Sequence, residues 1–134
     1  MPIKSRLLAA TVIPLVGPKL DIYVLKTYGH FDKFPQAPKG FLYHGTSKKN
    51  LASIKSKGII PTDKSADGTL ACYGAQKFST ASVWSSITDG VMLRFRMGTQ
   101  IWTATDNKVF YSYSTVPPSH IEILTNDGWK SMND

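Results

Sequence analysis

Residues 41–61 constrain the fold of this chain more than any other stretch. Phe41 to His44 is a short apolar run that reads as a strand, and Ser47 can cap the free amides of a helix. Lys48 to Lys57 contains no glycine or proline, and Gly58 supplies a left-handed stop. Leu51 and Ile54 lie three apart on one helical face, with Lys48, Lys49, Lys55 and Lys57 mostly outside. Ile59-Ile60-Pro61 reads as a short return strand.

The flanking sequence is richer in strands than in helices. Residues 1–19 end in a Gly17-Pro18 breaker, and Leu20 to Tyr28 reads as a strand of alternating β-branched and aromatic residues. His30 to Gly40, with Pro35 and Pro38, is a loop. Asp63 to Thr69 is a polar loop around Asp67-Gly68, expected to be mobile. Lys77 to Thr80 reads as a strand end and Ala81 to Ile87 as a short helix bearing Val83, Trp84 and Ile87. After the Asp89-Gly90 turn, Val91, Leu93, Phe95 and Met97 alternate with Met92, Arg94 and Arg96. Gln100 to Thr103, Val109 to Tyr113 and Ile121 to Leu124 are three further strands. Many strands with two short helices in the middle predict an α+β domain. A chain of 134 residues suits one domain, with 1–36 as an N-terminal extension carrying a strand and 37–134 as the core.

The apolar run Leu7 to Val16, behind Lys4 and Arg6, faintly imitates a signal peptide, but Pro14 interrupts it and no small-x-small cleavage site follows. A buried first strand or helix is the expectation, with a cytoplasmic protein or one delivered into a target cell. No stretch approaches the ~20 apolar residues of a membrane helix, and we expect a monomer. The single Cys72 excludes an internal disulfide and reads as a packing residue. The net charge of +7 is lopsided: residues 1–64 carry eleven Lys/Arg against three Asp, whereas residues 65–134 carry five against six Asp/Glu. Such a basic half raises affinity for phosphate or nucleic acid through its field. Thirteen of the sixteen basic residues are Lys, which favours a solvated surface for most of them.

Leu42-Tyr43-His44-Gly45-Thr46-Ser47, followed by Asn50, Ile54, Gly58 and Pro61, resembles the opening motif of the ADP-ribosyltransferase superfamily. The resemblance spans roughly Phe41 to Leu124. It implies a split β-sandwich with short helices around a cleft that takes NAD as substrate. It also implies pentosyl transfer from NAD to a protein or nucleic-acid acceptor. His44 would hydrogen-bond a ribose hydroxyl, and Gly45, lacking a Cβ, would let backbone approach the nicotinamide amide, with Thr46 beside it. Phe78-Ser79-Thr80-Ala81-Ser82 and Trp84 are similar to the family's second block, which implies that Ser79 and Thr80 support the nicotinamide ribose. Tyr73 is the candidate ring partner.

The third block departs from the pattern. Val116-Pro117-Pro118 and the strand around Ile121-Glu122-Ile123-Leu124 match the family's turn and last strand, but the preceding Lys108 to Tyr113 holds no acid. Glu122 falls after the turn, outside the catalytic position. Asp106 is then the candidate catalytic carboxylate alongside His44. Two alternatives follow. One is an RNA 2′-phosphotransferase-like enzyme with Arg94 and Arg96 on phosphates. The other is an inactive module that binds NAD, ADP-ribose or nucleic acid. Three His and one Cys without clustered carboxylates form no metal pattern.

Overall fold

The computed structural model describes residues 11–14, 19–22, 24–25, 36–65, 67–85, 89–105 and 108–132, with side chains described from residue 36 onward. It is an α+β domain. In chain order the elements are β1 (Thr11–Pro14), β2 (Lys19–Ile22), β3 (Val24–Leu25), β4 (Phe41–Ser47), α1 (Leu51–Lys57), β5 (Asp63–Lys64) and β6 (Leu70–Ala75). Then come α2 (Phe78–Ser82), β7 (Gly90–Arg96), β8 (Thr103–Ala104), β9 (Val109–Ser112), β10 (Ile121–Thr125) and β11 (Gly128–Ser131). The strands pair antiparallel along the path β1-β2-β10-β7-β4-β6-β9-β8; β11 joins β10, β3 joins β7 and β5 joins β6.

β7 is the centre of the molecule. Its apolar side chains Val91, Leu93 and Phe95 are fully buried against Leu42, Leu51, Ile59, Val116, Ile121 and Ile123. The alternation read from sequence holds, yet the other face is covered too: Met92 is fully buried among Tyr43, Phe78, Ala81 and Leu124. A strand buried on both faces sits in mid-sheet, and full pairing with β4 from Phe41↔Arg96 to Ser47↔Gly90 puts it there.

Between β4 and β6 the sheet divides. These strands pair at a single position, Tyr43↔Ala75, and then part. Farther along, β5 takes up the edge of β6 through Asp63↔Ala71 and Lys64↔Leu70. A gap therefore opens beside Cys72 and Tyr73, with β4 on one side and β5 on the other.

Several local expectations are corrected. The strand expected over Lys77 to Thr80 is the start of α2, because β6 has already ended at Ala75. Ser47 makes no cap hydrogen bond. Its Oγ donates to Asp89 Oδ2 at 2.7 Å, and the chain enters α1 through a 3-10 turn at Lys48–Asn50. Among Ile59-Ile60-Pro61, Ile59 alone pairs, as a bridge to Val116. The polar loop after Pro61 is a small hairpin with a hydrogen-bonded turn, in which Ser65 Oγ and the Thr69 N–H both donate to Asp67 Oδ1. These donors, with the Tyr113 hydroxyl, hold the Asp67 carboxyl down at about 2. β11 escaped the sequence reading although Asn126-Asp127-Gly128 is a turn signal before it, and Gly128 has φ +106° there. The readings that fall on Tyr28, His30, Pro35 and Ile87 lie outside the described residues.

Candidate functional site

The gap between β4 and β5 is the mouth of a cleft of about 1030 Å³, lined by residues from β4, α1, β5 and β6 together with Trp84 and Thr105. That volume lies at the upper end of the ~300–1,000 Å³ typical of small-molecule sites.

His44 stands on the β4 side. Its Nδ1 lies 2.8 Å from the Tyr73 carbonyl oxygen across the division of the sheet. A carbonyl only accepts, so Nδ1 carries the proton and donates. Burial lowers the His44 pKa, against smaller opposing effects of the Tyr73 carbonyl and the Asp63 charge. The ring is therefore neutral near pH 7, and Nε2 is left as an acceptor. The same contact spans strands that have stopped pairing, so His44 replaces a ladder hydrogen bond with a side chain.

Thr46 follows two residues on, on the same face of β4, and also lines the cleft. It is buried, and its Oγ1 accepts from Asn50 Nδ2 at 3.0 Å, which fixes its position at the entry to α1. Gly45 lies between His44 and Thr46 in β4 and lines the cleft too, and packing gives it a further reason for being glycine. A Cβ there would sit 2.3 Å from the Ala81 carbonyl oxygen, so the missing side chain makes room for α2.

Tyr73 lines the cleft from β6. Its centroid is 6.3 Å from that of Trp84, which in turn is 5.8 Å from that of His44. Trp84 is half-exposed at the cleft although it follows α2, and it was read only as a helix aromatic. Tyr73 continues into Tyr111 and Tyr113, with centroids 5.7 and 5.6 Å apart in succession. Cys72 reaches the cleft as well, but its thiol donates to the Ser114 carbonyl at 3.1 Å, and burial pushes its pKa up to about 11. It is a protonated packing residue at neutral pH, as expected.

Other sequence candidates fall elsewhere. Ser79 and Thr80 belong to α2 and are not among the residues lining the cleft, because the helix begins where a strand end was expected. Asp106 lies outside the described residues; its neighbour Thr105 lines the cleft. Arg94 and Arg96 pair across from Tyr43 and Phe41, so they share the face of the sheet opposite His44. There Arg94 Nε donates to Glu122 Oε1 at 2.6 Å, and its guanidinium lies 4.6 Å from the Trp129 ring centroid and 5.2 Å from that of Phe41. Arg96 donates to the Ser119 carbonyl. Arg94 is thus a guanidinium held between two rings and a carboxylate. Glu122 is thereby placed away from the cleft.

Asp63 was passed over as a loop residue, yet it lines the cleft from β5. Among the described residues no group of three or more His, Cys, Asp or Glu could hold a metal ion. No helix among the described residues is long and apolar enough to cross a membrane. Comparison of the chain with protein-family models and with curated proteins returns no match.

Proposed function

We propose that this chain is an NAD-dependent mono-ADP-ribosyltransferase acting on a protein or nucleic-acid acceptor, built on an ADP-ribosyltransferase-like split β-sandwich. The reading rests most on one observation: where β4 leaves β6, a neutral His44 with a free Nε2 acceptor stands beside the rings of Trp84 and Tyr73. Nε2 suits a donor such as a ribose hydroxyl. The two rings suit a flat cation, and the nicotinamide of NAD is a pyridinium; such contacts contribute ~0.5–2 kcal/mol. Thr46 and Asn50 extend a polar wall toward the rest of the dinucleotide.

The RNA 2′-phosphotransferase alternative draws no support from the arginines, which face away from the cleft. Calorimetric titration with NAD tests the proposal. His44→Ala should weaken binding by at least ~1 kcal/mol, the scale of one lost hydrogen bond. No binding of NAD at millimolar concentration by the wild type would remove the proposal. Binding without release of nicotinamide would return the non-catalytic module.

A further inference from the structure

Loss of nicotinamide from NAD builds positive charge on the ribose C1′, and a fixed carboxylate close by is the efficient way to stabilise it. Five acidic side chains are described from residue 36 onward. Glu122 is tied to Arg94 on the far face, Asp67 closes the turn after β5, Asp89 accepts from Ser47, and Asp127 sits in the turn between β10 and β11. The fifth, Asp63, lines the cleft.

Its position follows from the division of the sheet. His44 docks on the edge of β6 at Tyr73, and Asp63 pairs on that strand at Ala71, with the Thr62 N–H donating to the Ala71 carbonyl at 3.2 Å. Two residues of strand separate these attachment points, or roughly 7 Å along β6. Both residues line the same cleft from neighbouring attachment points on β6. The Asp63 charge is also felt at both His44 and Tyr73, so it bears on the groups that would hold the ligand.

Resting on the NAD reading above, we propose that Asp63 is the catalytic carboxylate of this cleft, supplied from β5 rather than from a late strand. In the step we assign to it, the bond between C1′ and the nicotinamide nitrogen breaks. Its electron pair goes to that nitrogen, and nicotinamide leaves neutral. The Asp63 carboxylate faces the cationic C1′. An acceptor hydroxyl, or water, then forms the new bond to C1′ and gives its proton to Asp63, which returns it to solvent.

The test measures NAD affinity by calorimetry and nicotinamide release by chromatography on the full chain, for the wild type, Asp63→Asn and Asp63→Glu. Asp63 is exposed, so thermal melts of both variants should match the wild type. We expect Asp63→Asn to bind NAD within about threefold of the wild type and to release nicotinamide ~10²–10³ times more slowly, the usual effect of removing one electrostatic partner of a transition state. Asp63→Glu should keep part of the activity. Release at the wild-type rate by Asp63→Asn overturns the assignment, as does loss of NAD binding in a variant that melts normally. Wild-type protein that binds NAD without releasing nicotinamide overturns it as well. A wild type that binds no NAD overturns the NAD reading itself, so the two failures are distinguishable.

Discussion

His44 shows how one side chain can be tuned by where the pairing of two strands stops. Were β4 and β6 to stay paired, the Tyr73 carbonyl would be taken by backbone; because they part, it receives Nδ1–H and selects the tautomer. The lowered pKa links this residue to stability. A folded-state value below the unfolded 6.5 means that the unfolded chain binds the proton more readily. The contribution of neutral His44 is therefore complete above about pH 6.5 and is lost as pH falls through the lowered folded value. Urea melts at pH 7.5, 6.5 and 5.5 should show wild-type stability falling relative to His44→Gln across that window; parallel curves would remove the linkage. NAD affinity should fall in the same direction, since a protonated Nε2 can no longer accept.

Two glycines let the elements around the cleft pack closely, and an ion pair ties strands on the opposite face. Gly58 ends α1 with φ +83°, and a Cβ there would come within 2.0 Å of the Val116 carbonyl oxygen. Gly58→Ala therefore suffers twice, from an extended positive-φ backbone (ψ −170°) that essentially only glycine adopts, costing ~1–3 kcal/mol, and from collision with the Ile59–Val116 bridge. Chemical denaturation should show a loss larger than the backbone cost alone. Gly45→Ala should also destabilise, by forcing α2 off β4, although Gly45 is at an ordinary backbone angle. On the opposite face, Arg94 ties β7 to β10 through Glu122 and to β11 through Trp129. Arg94→Ala should lower stability by ~1–2 kcal/mol, the sum of a partly exposed ion pair and a partly exposed cation–π contact. NAD affinity should stay unchanged in the same variant. Glu122→Gln should likewise leave nicotinamide release untouched; a variant that bound normally but lost release would put Glu122 in the chemistry.

At the scale of the whole molecule, the sheet is stiff where its centre is paired and thin where it divides. β4 and β7 share a register from Phe41↔Arg96 to Ser47↔Gly90 beside the apolar core, whereas β5 and β8 are two-residue strands on the β6–β9 side. Hydrogen exchange should find the amides of β7 the most protected and those of β5 and β8 opening first; bound NAD should slow β5 because it closes the gap. Much of this architecture was legible in the chain. The alternation of β7 placed Val91, Leu93 and Phe95 inward, Leu51 and Ile54 marked the buried face of α1, and Gly58 marked its end, because each depends on local period and backbone freedom. Tertiary structure alone decided what lies beside His44. Period two tells which face a strand residue takes, but not where β4 parts from β6, which strand next occupies the edge, or how α2 carries Trp84 to the cleft. The role of Gly45 was decided by Ala81, that of Arg94 by Trp129 and Glu122, and the place of Asp63 by its pairing with Ala71. These are contacts between residues far apart in the chain, and short-range sequence carries no record of them.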